Sequence, residues 1–224
     1  MADYRHELKY QINASDVMAI RRRLQILAKP DPHARDGRYL VRSLYFDNLE
    51  DKALREKVDG VNKREKFRIR CYNGDFSLIH LEKKCKLGAL TRKESIPVSK
   101  ETVQAFLQGR KPDGGILPKT LLGELCRKMD TEGLRPKTIV DYVREPFVYG
   151  PGNVRVTLDY DIRTGLCGTD FLNPDCVMVP SGDPPVILEV KWDAFLPDII
   201  RDAVELPGRM AGAYSKYAAC RIYG

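Results

Sequence analysis

Long apolar runs are missing from this 224-residue chain, and no stretch approaches the roughly 18 consecutive apolar residues that a membrane-crossing helix requires. The opening Met1-Ala2-Asp3-Tyr4-Arg5-His6 lacks the apolar core of a secretory signal. Tryptophan occurs once, as Trp192, and aromatics make up only 8% of the residues, with no recognisable RNA- or DNA-binding motif. Three scattered histidines provide no zinc spacing, and Cys71, Cys85, Cys126, Cys167, Cys176 and Cys220 include no C-x-x-C pair. A structural zinc site and a secreted disulfide scaffold are therefore not expected; reduced thiols in a cytoplasmic protein are. A Walker-type G-x-x-x-x-G-K-[ST] loop is also absent, so any bound phosphate must be held by side chains rather than by a backbone cradle. No internal repeat, low-complexity tail or linker divides the chain, and one α+β domain over residues 1–224 is expected.

Positive charge is plentiful and unevenly placed. The chain carries a formal +7; residues 1–100 hold 23 Lys and Arg against 14 Asp and Glu, and the remainder holds 15 against 17. A basic half implies an anionic partner such as nucleic acid, phosphorylated metabolites, polyphosphate or an anionic membrane, unless it is only a solvated surface.

Eight candidate strands are legible: Tyr4–Gln11, Arg38–Phe46, Asn62–Asn73, Ser77–Lys86, Leu90–Val98, Arg135–Val148, Asn153–Asp161 and Pro185–Trp192. Asn73-Gly74-Asp75 is a strong hairpin signal, and such short links favour antiparallel neighbours. Helices are expected after Ser15, with Val17, Ile20, Leu24 and Leu27 as the apolar stripe, after Ser99, over Lys119–Met129, after Asp198 and over Ser215–Arg221. Lys111–Leu117 and Gly168–Pro185 read as loops.

Side chains alternate faces along a strand. One face of Arg64–Tyr72 carries Arg64, Lys66, Arg68, Arg70 and Tyr72, the other Glu65, Phe67, Ile69 and Cys71. In the next strand His80, Glu82, Lys84 and Lys86 oppose Ile79, Leu81 and Cys85. Arg155, Thr157, Asp159 and Asp161 oppose Val154, Val156 and Leu158, while Ile187, Glu189 and Lys191 oppose Val186, Leu188 and Val190. The first strand sets Arg5, Glu7 and Lys9 against His6, Leu8 and Tyr10. Either these charged faces look outward into solvent, or helices cover the apolar faces and the charged ones meet inside an eight-stranded antiparallel β-barrel. Inward cations without partners would cost several kcal/mol each, so such a lumen makes sense only if it is wet and holds an anion. A phosphate chain suits it, gripped by arginine forks and lysine point charges, with a glutamate or two for a divalent cation.

Arg5-His6-Glu7-Leu8-Lys9-Tyr10, Arg42-Ser43-Leu44-Tyr45-Phe46-Asp47, Lys66-Phe67-Arg68-Ile69-Arg70, Leu81-Glu82-Lys83-Lys84, Tyr142-Val143-Arg144, Glu189-Val190-Lys191 and Ser215-Lys216-Tyr217 follow one another in a telling order. At these residues the sequence resembles the catalytic domain of the vacuolar transporter chaperone (VTC) polyphosphate polymerases, within the triphosphate tunnel metalloenzyme superfamily. The resemblance implies an eight-stranded tunnel with helices outside and transfer of the ATP γ-phosphate onto inorganic polyphosphate, with Mn2+ or Mg2+. It implies phosphate contacts at Lys9, Arg68, Arg70, Lys84, Arg144, Arg155 and Lys216, with Lys93 a further match, and metal binding at Glu189. On facing grounds Glu7, Glu82 and Asp159 are added on the metal side and Lys66 and Lys191 on the substrate side; Ser215, in the Ser215-Lys216-Tyr217 motif, is a further substrate-side candidate that the resemblance implies.

Two positions depart from the pattern. The superfamily's E-x-E-x-K signature would place glutamate where Arg5 stands, which separates this chain from the thiamine-triphosphatase and adenylate-cyclase branches. A lysine expected three residues before Lys216 is replaced by Ala213. Three functions follow: a polyphosphate-synthesising transferase, a hydrolase of tripolyphosphate or nucleoside triphosphate in the same tunnel, and a non-catalytic polyanion binder. His6, His80 and the cysteines read as packing or spectator groups, and Asp159-Tyr160-Asp161 as a chance likeness to a nucleotide-sugar motif.

Overall fold

The alternating segments are realised as strands of one antiparallel sheet. The computed structural model of the protein describes residues 4–182 and 185–222. In chain order its first half runs β1 (His6–Ile12), α1 (Ala14–Leu27), β2 (Lys29–Pro30), β3 (Tyr39–Asp47), α2 (Lys52–Val58), β4 (Lys63–Tyr72), β5 (Asp75–Leu87) and β6 (Leu90–Val98). There follow α3 (Lys100–Leu107), α4 (Leu121–Thr131), β7 (Arg135–Tyr149), β8 (Val154–Thr164), β9 (Val179–Pro180), β10 (Val186–Trp192), α5 (Asp198–Val204) and α6 (Lys216–Cys220). No helix among the described residues is long and apolar enough to cross a membrane, and all six cysteines are free.

The strands run in the order β1-β10-β8-β7-β3-β4-β5-β6, with β2 added on β7 and β9 on β8. The described strands thus number ten rather than the expected eight. The two extra ones are two-residue pieces that each contain a proline, whose missing N–H stops the ladder from growing. β9 lies within the 168–185 stretch expected to be loop, of which residues 183 and 184 fall outside the described residues. Nor does the ladder close as a continuous barrel. Its end strands meet at one isolated bridge, where Arg5 N donates to Thr91 O at 2.9 Å and Thr91 N to Arg5 O at 3.1 Å. The sheet therefore curls until its two edges touch.

Helices cover the outer, apolar face in two groups. Phe67, Ile69 and Leu81 of β4 and β5 pack with Leu44 and Phe46 of β3 beneath Val103 and Phe106 of α3 and Leu121, Leu125 and Met129 of α4. Val156, Leu158, Leu188 and Val190 of β8 and β10 pack beneath Val17, Ile20 and Leu24 of α1 and Ile200 and Val204 of α5. Local signals fix the ends of these pieces. Asn73 and Gly74 both have positive φ (52° and 67°), which gives the tight β4–β5 turn expected from the Asn-Gly pair. Ser99 and Thr120 cap α3 and α4. α1 starts earlier than its serine implied: Asn13 is the cap, in a capping box with Asp16, and Ser15 lies in the first turn.

One end of the inner face is dry, contrary to a lumen wet throughout. Val41, Val140, Ile162 and Ile187 share a cluster with Tyr217 and Cys220 of α6. There the C-terminal helix closes the interior with apolar contacts. Asp161 also leaves the charged face of β8, because the β7–β8 register shifts between Asp141 and Val143; it is exposed, with φ 50°.

Phe106 has no exposed surface and meets Phe46 edge-on, ring centroids 5.7 Å apart. Phe106→Ala is expected to lower the unfolding free energy by about 3–5 kcal/mol, read as a shift of the urea midpoint at unchanged slope.

Candidate functional site

Strand register decides what the inner face brings together. Residues directly opposite on neighbouring strands point the same way, so an aligned row of same-parity positions becomes a row of neighbours. Lys9 sits opposite Glu189 and Glu7 opposite Lys191 across β1 and β10. Arg144 sits opposite Asp159 across β7 and β8, and Arg68 opposite Glu82 across β4 and β5. Lys66 lies opposite Lys84, which lies opposite Lys93, so three lysines stand side by side across β4, β5 and β6.

These side chains line a cavity of about 390 Å³. Its walls carry Lys9, Lys66, Arg68, Arg70, Lys84, Lys93, Arg144, Lys191 and Lys216, nine cations, besides Arg5, Arg92 and Arg155. A smaller cavity of about 90 Å³ shares Lys9, Lys66, Lys84, Thr91, Tyr214 and Ser215 with it and extends toward Lys57, Arg64 and Lys86. Four carboxylates, Glu7, Glu82, Asp159 and Glu189, are interleaved among the nine cations, and each is bound by more than one of them. Glu7 takes Lys84 at 2.6 Å and Lys9 at 2.8 Å. Glu189 takes Lys191 at 3.2 Å, Arg144 at 3.3 Å and Lys9 at 3.5 Å. Glu82 takes Arg68 at 2.7 Å and Lys93 at 3.0 Å, with Arg70 at 3.7 Å. Asp159 accepts both Arg144 Nε and Lys216 Nζ at 2.6 Å.

The electrostatics follow from this crowding. Burial and the nearby Glu189 favour the neutral acid of Glu7, but Lys84, Lys9 and Lys191 hold it at about 2. Burial also opposes ionisation of Asp159, which Arg144 and Lys216 nevertheless keep at about 2. Glu82 and Glu189 lie well below the usual carboxylate range because their cations outweigh the same burial. Lys66 has no carboxylate partner among the described residues, and burial pushes it down to about 8. Burial and Lys9 bring Lys84 well below the usual lysine range.

Every residue singled out from the sequence, except Arg155 and Ser215, belongs to this lattice of charges. Arg155 stands at the rim, where its guanidinium donates to Asp31 at 2.6 Å and Tyr39 Oη at 2.7 Å. Ser215 lines the cavity, but its hydroxyl accepts from Ala218 N and so caps α6. Sequence reasoning put Tyr72 on the charged face of its strand but missed the other tyrosines. Tyr39, Tyr45, Tyr72, Tyr142 and Tyr214 all line the cavity. Arg68 donates to Tyr45 Oη at 3.1 Å, Arg70 to Tyr142 Oη at 3.2 Å, and Lys216 Nζ lies 4.6 Å from the centre of the Tyr142 ring. Their signal was parity: Tyr45 is two residues from Ser43, and Tyr142 two from Arg144, on inward-facing positions.

A profile of the VTC domain matches residues 4–222. The chain belongs to the VTC domain family. Among curated proteins, none matches it in sequence. In structure this VTC domain is similar to a candidate adenylate cyclase from Bacillus halodurans, with a TM-score of 0.51 and 14% identity over 84% of this chain and 79% of that one. It is also similar to a candidate adenylyl cyclase from Hippeastrum, described as having a dominant triphosphatase activity, with a TM-score of 0.50 and 14% identity over 96% of this chain and 94% of the other. At such identity the likeness is one of fold.

A metal's fit to the VTC lumen is set by its donor set. No group of three or more His, Cys, Asp or Glu side chains suited to a metal forms among the described residues. Glu7 and Glu189 come together at Lys9, which contacts both, and Glu189 raises the cost of ionising Glu7; Asp159 and Glu189 likewise share Arg144. Two carboxylates suit a hard ion such as Mg2+ or Mn2+ that takes its other ligands from water and phosphate, not one caged by protein.

Tyr45 gives the site a pH dependence. Burial would raise its phenol, but Arg68, Lys66 and Arg70 bring it down to about 7. Between roughly pH 6 and pH 9 Tyr45 gains a negative charge and Lys66 loses its positive one, so the lumen becomes less cationic. Tripolyphosphate affinity, measured by calorimetry, is expected to fall across that interval, and Tyr45→Phe to remove the lower part of the fall.

Proposed function

We propose that this protein is a polyphosphate polymerase that transfers the γ-phosphate of ATP to a growing polyphosphate chain within its basic lumen, the curled sheet acting as the wall of an eight-strand tunnel. The observation that carries this reading is the lysine row Lys66–Lys84–Lys93. Like charges directly opposite each other on a sheet are destabilising, and a polyanion along the row removes the repulsion. The family assignment and the two cavities, which share six lining residues, support the same conclusion.

Phosphoryl transfer needs chiefly alignment and charge stabilisation, since the transition state spreads charge over the equatorial oxygens. Arg68, Arg70 and Arg144 offer planar forks for phosphate oxygens, with Arg155 at the rim. Lys9, Lys66, Lys84, Lys93, Lys191 and Lys216 act as point charges along the chain. Tyr45 and Tyr142 hold the guanidinium groups of Arg68 and Arg70 in place. Glu189 and Glu7 would hold a divalent ion, Mn2+ or Mg2+; Glu82, expected from the sequence on the metal side, instead pairs with Arg68, Arg70 and Lys93, and such an ion would neutralise phosphate oxygens when bound. No covalent nucleophile is required.

Hydrolysis of tripolyphosphate or nucleoside triphosphate by the same residues is the second reading, favoured by the triphosphatase activity described for the Hippeastrum protein. It differs in whether water or phosphate attacks. Incubation with ATP and Mn2+ followed by a sizing gel separates them: long polymer is expected, and orthophosphate without polymer would move the assignment to the hydrolase. Steeply salt-dependent DNA binding without ATP turnover would instead indicate a polyanion-binding module.

The residue roles are tested separately. Arg68→Ala combined with Arg70→Ala is expected to weaken tripolyphosphate binding by about 1.5–3 kcal/mol for each charged hydrogen bond removed, roughly 10- to 100-fold or more. Glu189→Gln is expected to abolish metal-dependent turnover while tripolyphosphate affinity is kept or raised, because an anion has been removed from a cationic lumen. Unchanged turnover removes Glu189 from the metal role.

A further inference from the structure

The carboxylates that would receive a divalent ion are already engaged. Lys84 and Lys9 contact Glu7 at 2.6 and 2.8 Å, and Thr91 Oγ1 stands 3.3 Å from the same carboxylate. Glu189 is ringed by Lys9, Lys191 and Arg144, all within 3.5 Å. Both acids are almost wholly enclosed, with side-chain exposures of 7% and 5%, so solvent screens these contacts weakly. A divalent ion reaching them in the free protein would have to displace ammonium groups and enter a space where nine cations already outnumber four carboxylates. A bound triphosphate eases both conditions. It offers alternative oxygens to Lys9 and Lys84, which frees Glu7 and removes one of the three cations on Glu189, and it cancels most of the local positive charge.

We propose that the free protein excludes divalent cations, and that the ion site on Glu7 and Glu189 comes into being only when a triphosphate draws Lys9 and Lys84 off those carboxylates. This rests on the reading of the cavity as a triphosphate site and adds an order to it: polyanion first, or ion and polyanion together, and never the ion alone. Binding of each then strengthens binding of the other by the same factor. Lys9 and Lys84 are the elements that enforce the order: without substrate Lys9 bridges both acids and Lys84 holds Glu7, and with substrate both contact phosphate.

Mn2+ binding can be followed without turnover through the loss of the free-ion electron paramagnetic resonance signal. Wild-type protein alone is expected to leave Mn2+ free up to about 1 mM. With tripolyphosphate present, and after subtraction of a protein-free tripolyphosphate control, binding is expected to tighten by roughly 5- to 150-fold, the usual span of coupling between two sites. Lys9→Gln combined with Lys84→Gln is expected to let the free protein bind Mn2+, and Lys191→Gln, which frees one side of Glu189, provides a milder version should the double variant fold poorly. Micromolar Mn2+ binding to wild-type protein alone would overturn the proposal, as would folded lysine variants that still leave Mn2+ free. Calorimetry with tripolyphosphate and no metal keeps the two readings apart. If tripolyphosphate binds and Mn2+ also binds alone, only the order is wrong; if tripolyphosphate does not bind, the functional reading is wrong as well.

Discussion

Like charges forced into neighbouring seats are the constraint on which this molecule turns. Pairing of β4, β5 and β6 leaves Lys66, Lys84 and Lys93 no choice but to face the same interior, because the outward positions of those strands are taken by Phe67, Ile69 and Leu81 beneath α3 and α4. A one-residue slip of β4 would relieve the lysines but turn the core residues into the lumen. The hydrophobic effect therefore holds the charges together: burying each large apolar side chain contributes about 1.5–3 kcal/mol, and several such side chains fix every strand. The repulsion is stored in the folded state.

Two devices make the stored repulsion tolerable. Carboxylates are spaced so that each meets more than one cation, which turns isolated buried charges into a lattice; a lone pair would gain little against its desolvation. The tyrosines supply the second. Tyr142 lies beneath Arg144 and Lys216, with the guanidinium carbon of Arg144 5.3 Å from the ring centre, and Tyr45 lies beneath Lys66 and Arg68. Cation–π contacts of this kind contribute about 0.5–2 kcal/mol each. The interior thus stays cationic overall while its individual cations remain partnered.

Much of this was legible in the residues. Strict alternation over Lys66–Tyr72 and Val186–Lys191 separates core from lumen without reference to any other protein, and Asn73-Gly74 fixes one hairpin. What could not be read is equally instructive. Whether charged faces look in or out depends on the pairing of β1 with β10 and the Arg5–Thr91 bridge, contacts between distant parts of the chain that leave no local trace. α2 escaped notice because it is only seven residues long, has no buried residue and follows Asp51 in a left-handed conformation with no side-chain cap. Its anchor lies elsewhere: Asp47 accepts from the backbone N–H groups of Ala53 and Leu54 and from Tyr217 Oη. The dry end of the lumen was missed for a related reason. Val41, Val140 and Ile187 have the parity of the charged residues, and only the arrival of α6 makes that part of the interior apolar.

The pairing of His6 with Trp192 has a consequence for how the molecule is made. On a translating ribosome the first strand must wait, unpaired on one edge, until nearly the entire polypeptide has emerged, and Lys216 arrives later still. Seven of the nine lumen cations, Lys9 to Arg144, therefore emerge before two of their acidic counterweights, Asp159 and Glu189, have been synthesised. Such a topology favours slow maturation and reliance on soluble anions or chaperones during biogenesis.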